Sequence, residues 1–256
     1  MLRRIGKSLR NRLRGKLMVA GTSHRADGGT SESYWSDFNV TLHKKFSSPA
    51  ESLEYMHWRN DQYVDYINFL PVSSHDGEVI LDYGCGPGHD LVGFMTYSRP
   101  AAVYGMDISR PSLAESADRL RVHGYDCELI HVSESDERIP LDDGSVDYVH
   151  CSGVLNHVPS PAKILREFGR ILKPSGYARL MVYNRDSLWV HLFVAHVLPA
   201  RDEKYRGLSP QEAFRRSTDT FDCPISRNWS PEEMDELAQI SGFSAKHLGN
   251  ATSIFE

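Results

Sequence analysis

The run VILDYGCGPGHD at residues 79–90 constrains the fold of this chain more than any other feature. A short apolar run leads to an acid, Asp82, then to three glycines, Gly84, Gly86 and Gly88, and then to a helical stretch. Glycines at such a junction let the main chain turn tightly and let a ligand approach it closely. The run therefore predicts a strand, a ligand-binding loop and a helix in succession.

The alternation continues downstream of Gly77. Short apolar runs are separated by stretches of helical character, which predicts βαβ units, a parallel sheet and right-handed crossovers. The predicted strands are 79–83, 102–106, 127–132, 146–151, 177–183 and 243–248. The predicted helices are 88–98, 111–123, 160–172 and 230–242, preceded by one at 50–70 that Pro71 ends.

The composition is that of a globular protein that buries a core. The net charge is −5, so the chain as a whole has no electrostatic attraction to nucleic acid, and we expect no nucleic-acid partner. There is no run of about 18 apolar residues, and the N-terminus lacks the apolar core of a secretory signal. The four cysteines show no CxxC spacing, so we expect reduced thiols and a cytoplasmic location.

Positive charge is concentrated at the N-terminus, where residues 1–19 hold seven Lys and Arg and no acid. Residues 2–18 repeat leucine and isoleucine at spacings of three and four, which predicts a basic amphipathic helix. Such a helix could associate peripherally with an anionic membrane; a solvated arm and a targeting segment are the alternatives. We divide the chain into an arm with a flexible linker (1–33), an N-terminal helical cap (34–76) and an α/β domain (77–256) that carries a lid insertion (184–229).

The glycine loop distinguishes between two kinds of ligand. A dinucleotide fingerprint, G-x-G-x-x-G, requires glycine at position 89, where this chain has His89. S-adenosylmethionine (SAM) has no phosphate and brings an ammonium group, which suits the acid at Asp82. Asp107 lies 19 residues beyond Gly88, where an acid can accept hydrogen bonds from both ribose hydroxyls; alone, it would equally suit a turn that caps the next helix.

Four stretches then resemble class I SAM-dependent methyltransferases, particularly the small-molecule branch that includes the ubiquinone and menaquinone methyltransferases. They are LDYGCGPGHD, YGMDISRPSLAESADRL, IPLDDGSVDYVHCSGVLNHV and PAKILREFGRILKPSGYARLMVYNR. The resemblance implies a doubly wound, mostly parallel seven-stranded sheet whose last strand is antiparallel. The end of the chain departs from this pattern, because only GNATSIFE follows residue 248 and the usual final hairpin is incomplete.

The resemblance also implies the cofactor, SAM, and the residues that hold it. The methionine part would lie on Asp82 and the 84–88 loop, the ribose on Asp107 and the adenine on Ile108. The family's adenine-contacting acid is displaced here, so Ser135 and Asp136 are both candidates. The full set of predicted cofactor-binding residues is Asp82, Tyr83, Gly84, Cys85, Gly86, Gly88, Asp107, Ile108, Ser135, Asp136, Cys151, Ser152 and, from the cap, Arg59.

The predicted function is methyl transfer to a small-molecule acceptor, which could be lipid-linked or a glycan. A base is required only if the acceptor must lose a proton, and His157, after the fourth strand, is the candidate because imidazole titrates near neutrality; a structural role is the alternative. No metal site is predicted, since His191 and His196 are five residues apart and do not share an α-helical face. A non-catalytic SAM-binding scaffold and a nicotinamide-dependent oxidoreductase are the rival functions, and the oligomeric state is left open.

Overall fold

The computed structural model describes residues 30–39, 41, 43–136, 138–220 and 223–252. At its centre is a sheet of five strands in the order β3-β2-β1-β4-β5, with every neighbouring pair parallel. The strands are β1 (Val79–Tyr83), β2 (Ala102–Asp107), β3 (Glu128–His131), β4 (Val146–Ser152) and β5 (Leu172–Met181). The strand order reverses between β1 and β4, which places the expected ligand crevice at their carboxyl ends.

Helices connect the strands and extend the domain at both ends. They are α1 (Ser31–Asp37), α2 (Pro49–Asn60), α3 (Tyr66–Phe69), α4 (His89–Tyr97), α5 (Arg110–His123), α6 (Pro161–Ile171), α7 (Leu198–Arg201), α8 (Pro210–Ser217) and α9 (Pro231–Ile240). A π-helix spans Trp189–Val197, and single 3₁₀ turns span Leu155–His157 and Glu203–Tyr205. Capping follows the sequence: the Ser109 side chain caps α5, Gly124 ends it at φ 70°, and Ser230 and Glu233 form a capping box on α9.

Both faces of the sheet are covered, as the doubly wound prediction requires. Alternate residues of a strand point to opposite faces; Ile80 and Tyr148 pack into one cluster with α4 and α5, whereas Leu81 and Val149 pack into another with α6 and α9. The α/β class and the parallel sheet are therefore confirmed.

The predicted seven strands are not found, since the described residues form five. The predicted strand 243–248 has no strand pairing. Gly242 ends α9 at φ 89°, and the Phe243 ring turns back onto α6, where it packs beside Gly169 and joins the core. Most of residues 244–250 are exposed, so this segment has no apolar face to bury in a sheet.

The predicted single helix at 50–70 is also wrong. The polar segment Asn60-Asp61-Gln62 ends α2, and Asp65 adopts a left-handed conformation (φ 61°) before the one-turn helix α3. Since an α-helix cannot pass through that conformation, the chain turns here. This turn places the Tyr66 hydroxyl within hydrogen-bond distance of Ser152, at the end of β4.

Residues 184–229, predicted as a lid, form a mainly helical insertion with its own apolar core. The buried residues of this core are Val190, Val194, Tyr205, Ala213 and Phe214. Its two ends meet, because the amide of Arg185 donates to the Trp229 carbonyl (2.9 Å) and the amide of Trp229 donates to the Tyr183 carbonyl (2.9 Å). Residues 2–18, the predicted basic helix, lie outside the described residues. Within the described ranges, no helix has the length and apolar character needed to cross a membrane.

Candidate functional site

The glycine loop lies over the end of β2. The amides of Gly84 and Cys85 both donate to the Met106 carbonyl (2.7 and 3.0 Å), and all three glycines of the loop have positive φ. A Cβ at Gly84 would lie 2.1 Å from the Val154 side chain, and one at Gly88 would lie 2.4 Å from the Ser116 hydroxyl. Glycine is therefore required at these two positions for both conformation and space.

The apex of the loop differs from its two ends. A Cβ built on Gly86 meets no described atom within 4 Å, so the main chain is open there to an incoming group. The Gly86 amide donates to Oδ2 of Asp107 (2.8 Å), which fixes the apex to the end of β2. The loop is therefore packed against side chains at Gly84 and Gly88 and open to a ligand at Gly86.

Asp107 is oriented by main-chain donors. Its Oδ2 accepts from Gly86, and its Oδ1 accepts from the Ser109 amide (2.8 Å). Burial raises the pKa of Asp107 against the lowering effect of these amides. An ionised carboxylate has about four lone-pair sites, so each oxygen can accept one further hydrogen bond, the number that a ribose diol supplies.

Asp82 is a buried carboxylate with an orphaned atom. Its Oδ2 has no hydrogen-bond partner among the described residues, and the side chain is 3% exposed. Burial, which His150 only partly offsets, raises the pKa of Asp82 to about 7. A buried acceptor without a donor is costly, and an ammonium group from a ligand would satisfy it.

Arg59, predicted from the cap as a cofactor-binding residue, forms an ion pair with a protein carboxylate. Its Nη2 donates to Oδ1 of Asp90 (2.6 Å), and although burial opposes it, Arg59 holds the pKa of Asp90 well below its usual value. Nε2 of His150 lies 3.4 Å from the other oxygen of Asp90. Asp90 and His150 were not predicted as site residues; each is a polar residue at a buried position of a helix or strand that packs in the core, and that was the available signal.

The end of β4 carries the predicted pair Cys151 and Ser152. The Cys151 side chain is fully buried, and burial raises the pKa of its thiol to about 12, so the thiol is neutral. The Ser152 hydroxyl hydrogen-bonds the Tyr66 hydroxyl (2.5 Å), which ties the cap to the sheet. Tyr66 was not predicted as a site residue.

A cleft opens between the ends of β2 and β3 and helix α6. Tyr83, Ile108, Ser135 and Asp136 line it, together with His157, so five of the predicted residues share one cavity. Asp136 is partly engaged, because its Oδ2 accepts from the Ser133 amide (2.6 Å) and closes a turn. The apolar side of the cleft suits a flat aromatic base.

A second group of polar side chains surrounds His157. Its Nδ1 donates to the Ile225 carbonyl (2.7 Å), its Nε2 lies 3.7 Å from Oδ2 of Asp219, and the Trp35 ring lies against it with 4.7 Å between centroids. Candidate metal-ligand atoms of His157, Asp219 and Cys223 all lie within 4.8 Å of one another. No metal site was predicted, and this grouping could not be anticipated from the sequence because its members come from distant segments of the chain.

The comparisons with known proteins agree with this geometry. Residues 55–247 match the family model described as a methyltransferase domain. The chain belongs to this family. The matched residues include the glycine loop, Asp107, both residues at the end of β4 and the whole lid, so the methyltransferase resemblance predicted from the sequence motifs is confirmed.

Relatives and solved structures extend the comparison. The chain is 29% identical to an uncharacterized 37.1 kDa protein in transposon TN4556 of Streptomyces fradiae over 72% of this chain, but spans only 48% of that relative. It is 28% identical to a ubiquinone biosynthesis O-methyltransferase of Dechloromonas aromatica over 83% of this chain and 90% of that one. A SAM dependent methyltransferase from Aquifex aeolicus has the same fold, with a TM-score of 0.50 at 17% identity over 80% of this chain and 88% of that chain.

Proposed function

We propose that this chain transfers a methyl group from SAM to a small-molecule acceptor. One arrangement carries the proposal: the orphaned Oδ2 of Asp82 and the main-chain-oriented carboxylate of Asp107 lie at the ends of adjacent strands, on either side of an open glycine loop. SAM brings an ammonium group to the first and a ribose diol to the second. Ile108 and Tyr83 would pack on the adenine, with Ser135 and Asp136 at its edge.

Methyl transfer from a sulfonium is a displacement, so the protein contributes mainly by positioning. It must hold the acceptor about 3 Å from the methyl carbon and exclude water. The end of β4, where Tyr66 bonds Ser152, and the lid side, where His157 packs on Trp35, would form the two walls around the reacting groups. Cys151, buried and neutral, would shape the floor rather than react.

A small-molecule acceptor is supported by the similarity to the Dechloromonas relative, a ubiquinone biosynthesis O-methyltransferase. A lid with its own apolar core also suits an enclosed acceptor site. If residues 2–18 bind anionic membranes, a lipid-linked acceptor gains support. Deleting residues 1–20 and measuring sedimentation with anionic and neutral vesicles tests the arm; equal sedimentation of both forms would count against it.

The decisive experiment titrates the purified chain with SAM in a calorimeter and then follows transfer from methyl-labelled SAM into a cell extract. We expect binding and transfer, both lost in Asp82→Ala. Binding without transfer would identify a non-catalytic SAM-binding protein. If SAM does not bind and NADH changes its spectrum on addition, the chain is a nicotinamide-binding protein and the proposal is wrong.

A further inference from the structure

We infer that Asp219, in the lid, is a positioning residue for methyl transfer. It would stabilise the imidazolium that forms when His157 takes the proton of a hydroxyl acceptor. The inference rests on the proposed methyl transfer. It assigns a role to a lid carboxylate that neither the sequence motifs nor the glycine-loop site involves. The tautomer of His157 determines which of its nitrogens can accept that proton.

A backbone carbonyl sets that tautomer. The Ile225 carbonyl lies 2.7 Å from Nδ1 of His157 and accepts a hydrogen bond from it. In a neutral imidazole with its proton on Nδ1, Nε2 is a lone-pair acceptor. His157 therefore presents a basic nitrogen at Nε2, and Nε2 lies 3.7 Å from Oδ2 of Asp219.

Asp219 is held so that it keeps facing this nitrogen. The Tyr183 hydroxyl donates to Oδ1 (3.0 Å) and the Ser226 hydroxyl donates to Oδ2 (2.9 Å). A carboxylate and a lone-pair nitrogen are both hydrogen-bond acceptors and cannot hydrogen-bond each other. Oδ2 of Asp219 and Nε2 of His157 therefore face each other with no proton between them. A proton placed there satisfies both, and the acceptor hydroxyl is the group that would bring it.

Asp219 is the carboxylate that lies against Nε2 of His157, and its polar neighbours are neutral. Burial raises the pKa of Cys223 to about 12 and holds the pKa values of Tyr34 and Tyr183 well above their usual value, so these three groups are neutral. Among the described residues, Asp219 is the carboxylate that lies within 4 Å of a His157 ring nitrogen, whereas Glu134, Asp136, Lys163 and Glu167 line the cavity that His157 borders. A carboxylate this close favours the imidazolium.

Helix α1 closes the remaining side. Its Trp35 ring lies on His157, and its Tyr34 hydroxyl hydrogen-bonds the hydroxyl of Thr220 (2.9 Å), the residue after Asp219. The Asp219 and His157 side chains are only 10% and 8% exposed. Limited access of water strengthens the interaction of the carboxylate with the imidazolium.

The reaction can be written with all atoms accounted for. The acceptor O–H bond breaks and its proton passes to Nε2 of His157. The acceptor oxygen forms a bond to the methyl carbon, and the electron pair of the broken carbon–sulfur bond stays on sulfur, which becomes a neutral thioether. The imidazolium, next to Asp219, later releases its proton to solvent.

A metal ion is the competing use of the same residues. His157, Asp219 and Cys223 could supply three ligands, but Nδ1 of His157 and the Cys223 thiol both already donate to the Ile225 carbonyl (2.7 and 3.3 Å). A three-ligand metal site would need the Cys223 thiolate, whereas burial keeps this thiol protonated and it donates to a carbonyl, which favours proton transfer over metal binding.

The experiment compares Asp219→Asn and His157→Gln with a matched control, Asp186→Asn. Asp186 lies 3.6 Å from His191, a similar spacing, but both side chains are exposed on the outside of the lid. The probes are 4-methylphenol and 4-methylbenzenethiol, which have the same shape; the thiol is acidic enough to ionise near neutrality without a base. With the phenol, we expect transfer to fall about 100-fold in His157→Gln and about tenfold in Asp219→Asn, with no loss in Asp186→Asn.

The loss should be confined to the phenol, and Asp219→Glu should restore part of it. SAM binding by calorimetry should be unchanged in Asp219→Asn; failure of the wild-type chain to bind SAM would instead overturn the proposed function. Equal losses with phenol and thiol, or no loss in Asp219→Asn, would overturn the role of Asp219. Zn²⁺ binding that disappears in Cys223→Ser would show that the cluster is a metal site instead.

A readout without an acceptor gives an independent decision. NMR of the labelled His157 imidazole should show the Nδ1-protonated tautomer in the wild-type chain and in Asp219→Asn, because the Ile225 carbonyl sets the tautomer. An Nε2-protonated ring in the wild-type chain would contradict the inference even if neither probe enters the site.

Discussion

The proposed SAM-binding side of the molecule and the lid side, around His157, are constructed from different parts of the chain. On the β1–β2 side, the groups proposed to meet the ligand come from residues 82–107 and are positioned by main-chain hydrogen bonds, such as those from Gly86 and Ser109 to Asp107. On the lid side, His157 is surrounded by side chains from residues 35, 183, 219 and 223. The first side is local in sequence and the second is assembled by tertiary packing.

This difference has a chemical counterpart. The β1–β2 side offers features that suit any SAM-dependent reaction, a carboxylate for the ammonium group and a carboxylate for a diol. The lid side offers a base and an aromatic wall, features that depend on the acceptor. We therefore expect changes on the first side to affect cofactor binding and stability, and changes on the second to affect transfer.

The strongest test of the main-chain side is Gly84→Ala. The new methyl group would meet Val154 at 2.1 Å at a φ of 78°, so we expect unfolding free energy to fall by about 3 kcal/mol, about 1 from the conformation and the rest from overpacking. Gly124→Ala is the matched control, with a φ of 70° and no described atom within 4 Å of the new Cβ.

Urea unfolding measures both variants, and Gly124→Ala should lose only about 1 kcal/mol. Adding Val154→Ala to Gly84→Ala should recover part of the difference. If the two glycine variants lose equal stability, packing at the loop is not what requires Gly84.

The next largest effect is expected for Asp107→Ala. It removes the proposed acceptor for two ribose hydroxyls, so SAM binding should weaken by about 30-fold, or about 2 kcal/mol. Calorimetry with SAM and with adenosine measures the loss, which should be the same for both ligands because both carry the ribose. Asp118→Ala, on the exposed face of α5 beside Arg121, is the control and should bind normally. Normal binding by Asp107→Ala would remove the ribose assignment.

The same division explains how much the sequence could predict. The strand, glycine loop and helix at 79–97 and the acid at the end of β2 were predicted in place, because strand periodicity, glycine conformation and strand-end position are local properties. His157 was predicted as a candidate base from its position after β4, and that role stays a prediction. Asp219 could not be found, since the contact between residues 157 and 219 follows from how the lid packs.

The two errors in secondary structure have the same origin. The segment 243–248 has an apolar residue at each end, but its pairing depended on a neighbouring strand, and Phe243 instead packs on α6. The segment 50–70 has helical periodicity, yet α2 ends at Asn60, and Asp65 adopts a left-handed conformation before α3 begins. Tertiary contacts, including the Val64 amide that donates to the Thr252 carbonyl (2.8 Å), stabilise that turn.

A smaller effect is expected from pH. The pKa of Asp82 is about 7 because of burial, so acid protonates the group that we propose to bind the ammonium of SAM. Affinity should fall about tenfold per pH unit below about pH 7, and binding there should release up to about one proton. Calorimetry in buffers of different ionisation enthalpy measures both quantities.

Adenosine, which lacks the ammonium group, is the control and should bind equally across this range. Stability of the free chain should show the opposite sign: the folded state holds the extra proton, so the contribution of Asp82 to stability declines as pH rises from 3.8 to about 7. If the affinity for SAM does not depend on pH, Asp82 does not bind the ammonium group of its methionine part.

The smallest predicted effect is on the lid side, in Tyr34→Phe. This change removes one hydrogen bond, to Thr220 (2.9 Å), so global stability should fall by no more than about 1 kcal/mol. Since this bond joins helix α1 to the segment that carries Asp219, amide exchange at 214–220 should quicken by about fivefold while exchange at 79–107 stays constant. Tyr97→Phe loses a comparable hydroxyl contact, to His57 (2.7 Å) on an exposed surface, and should change neither region. Equal acceleration at 214–220 and 79–107 in Tyr34→Phe would mean that the lid side and the proposed SAM-binding side are coupled. The lid could then not respond to an acceptor without disturbing the SAM-binding side.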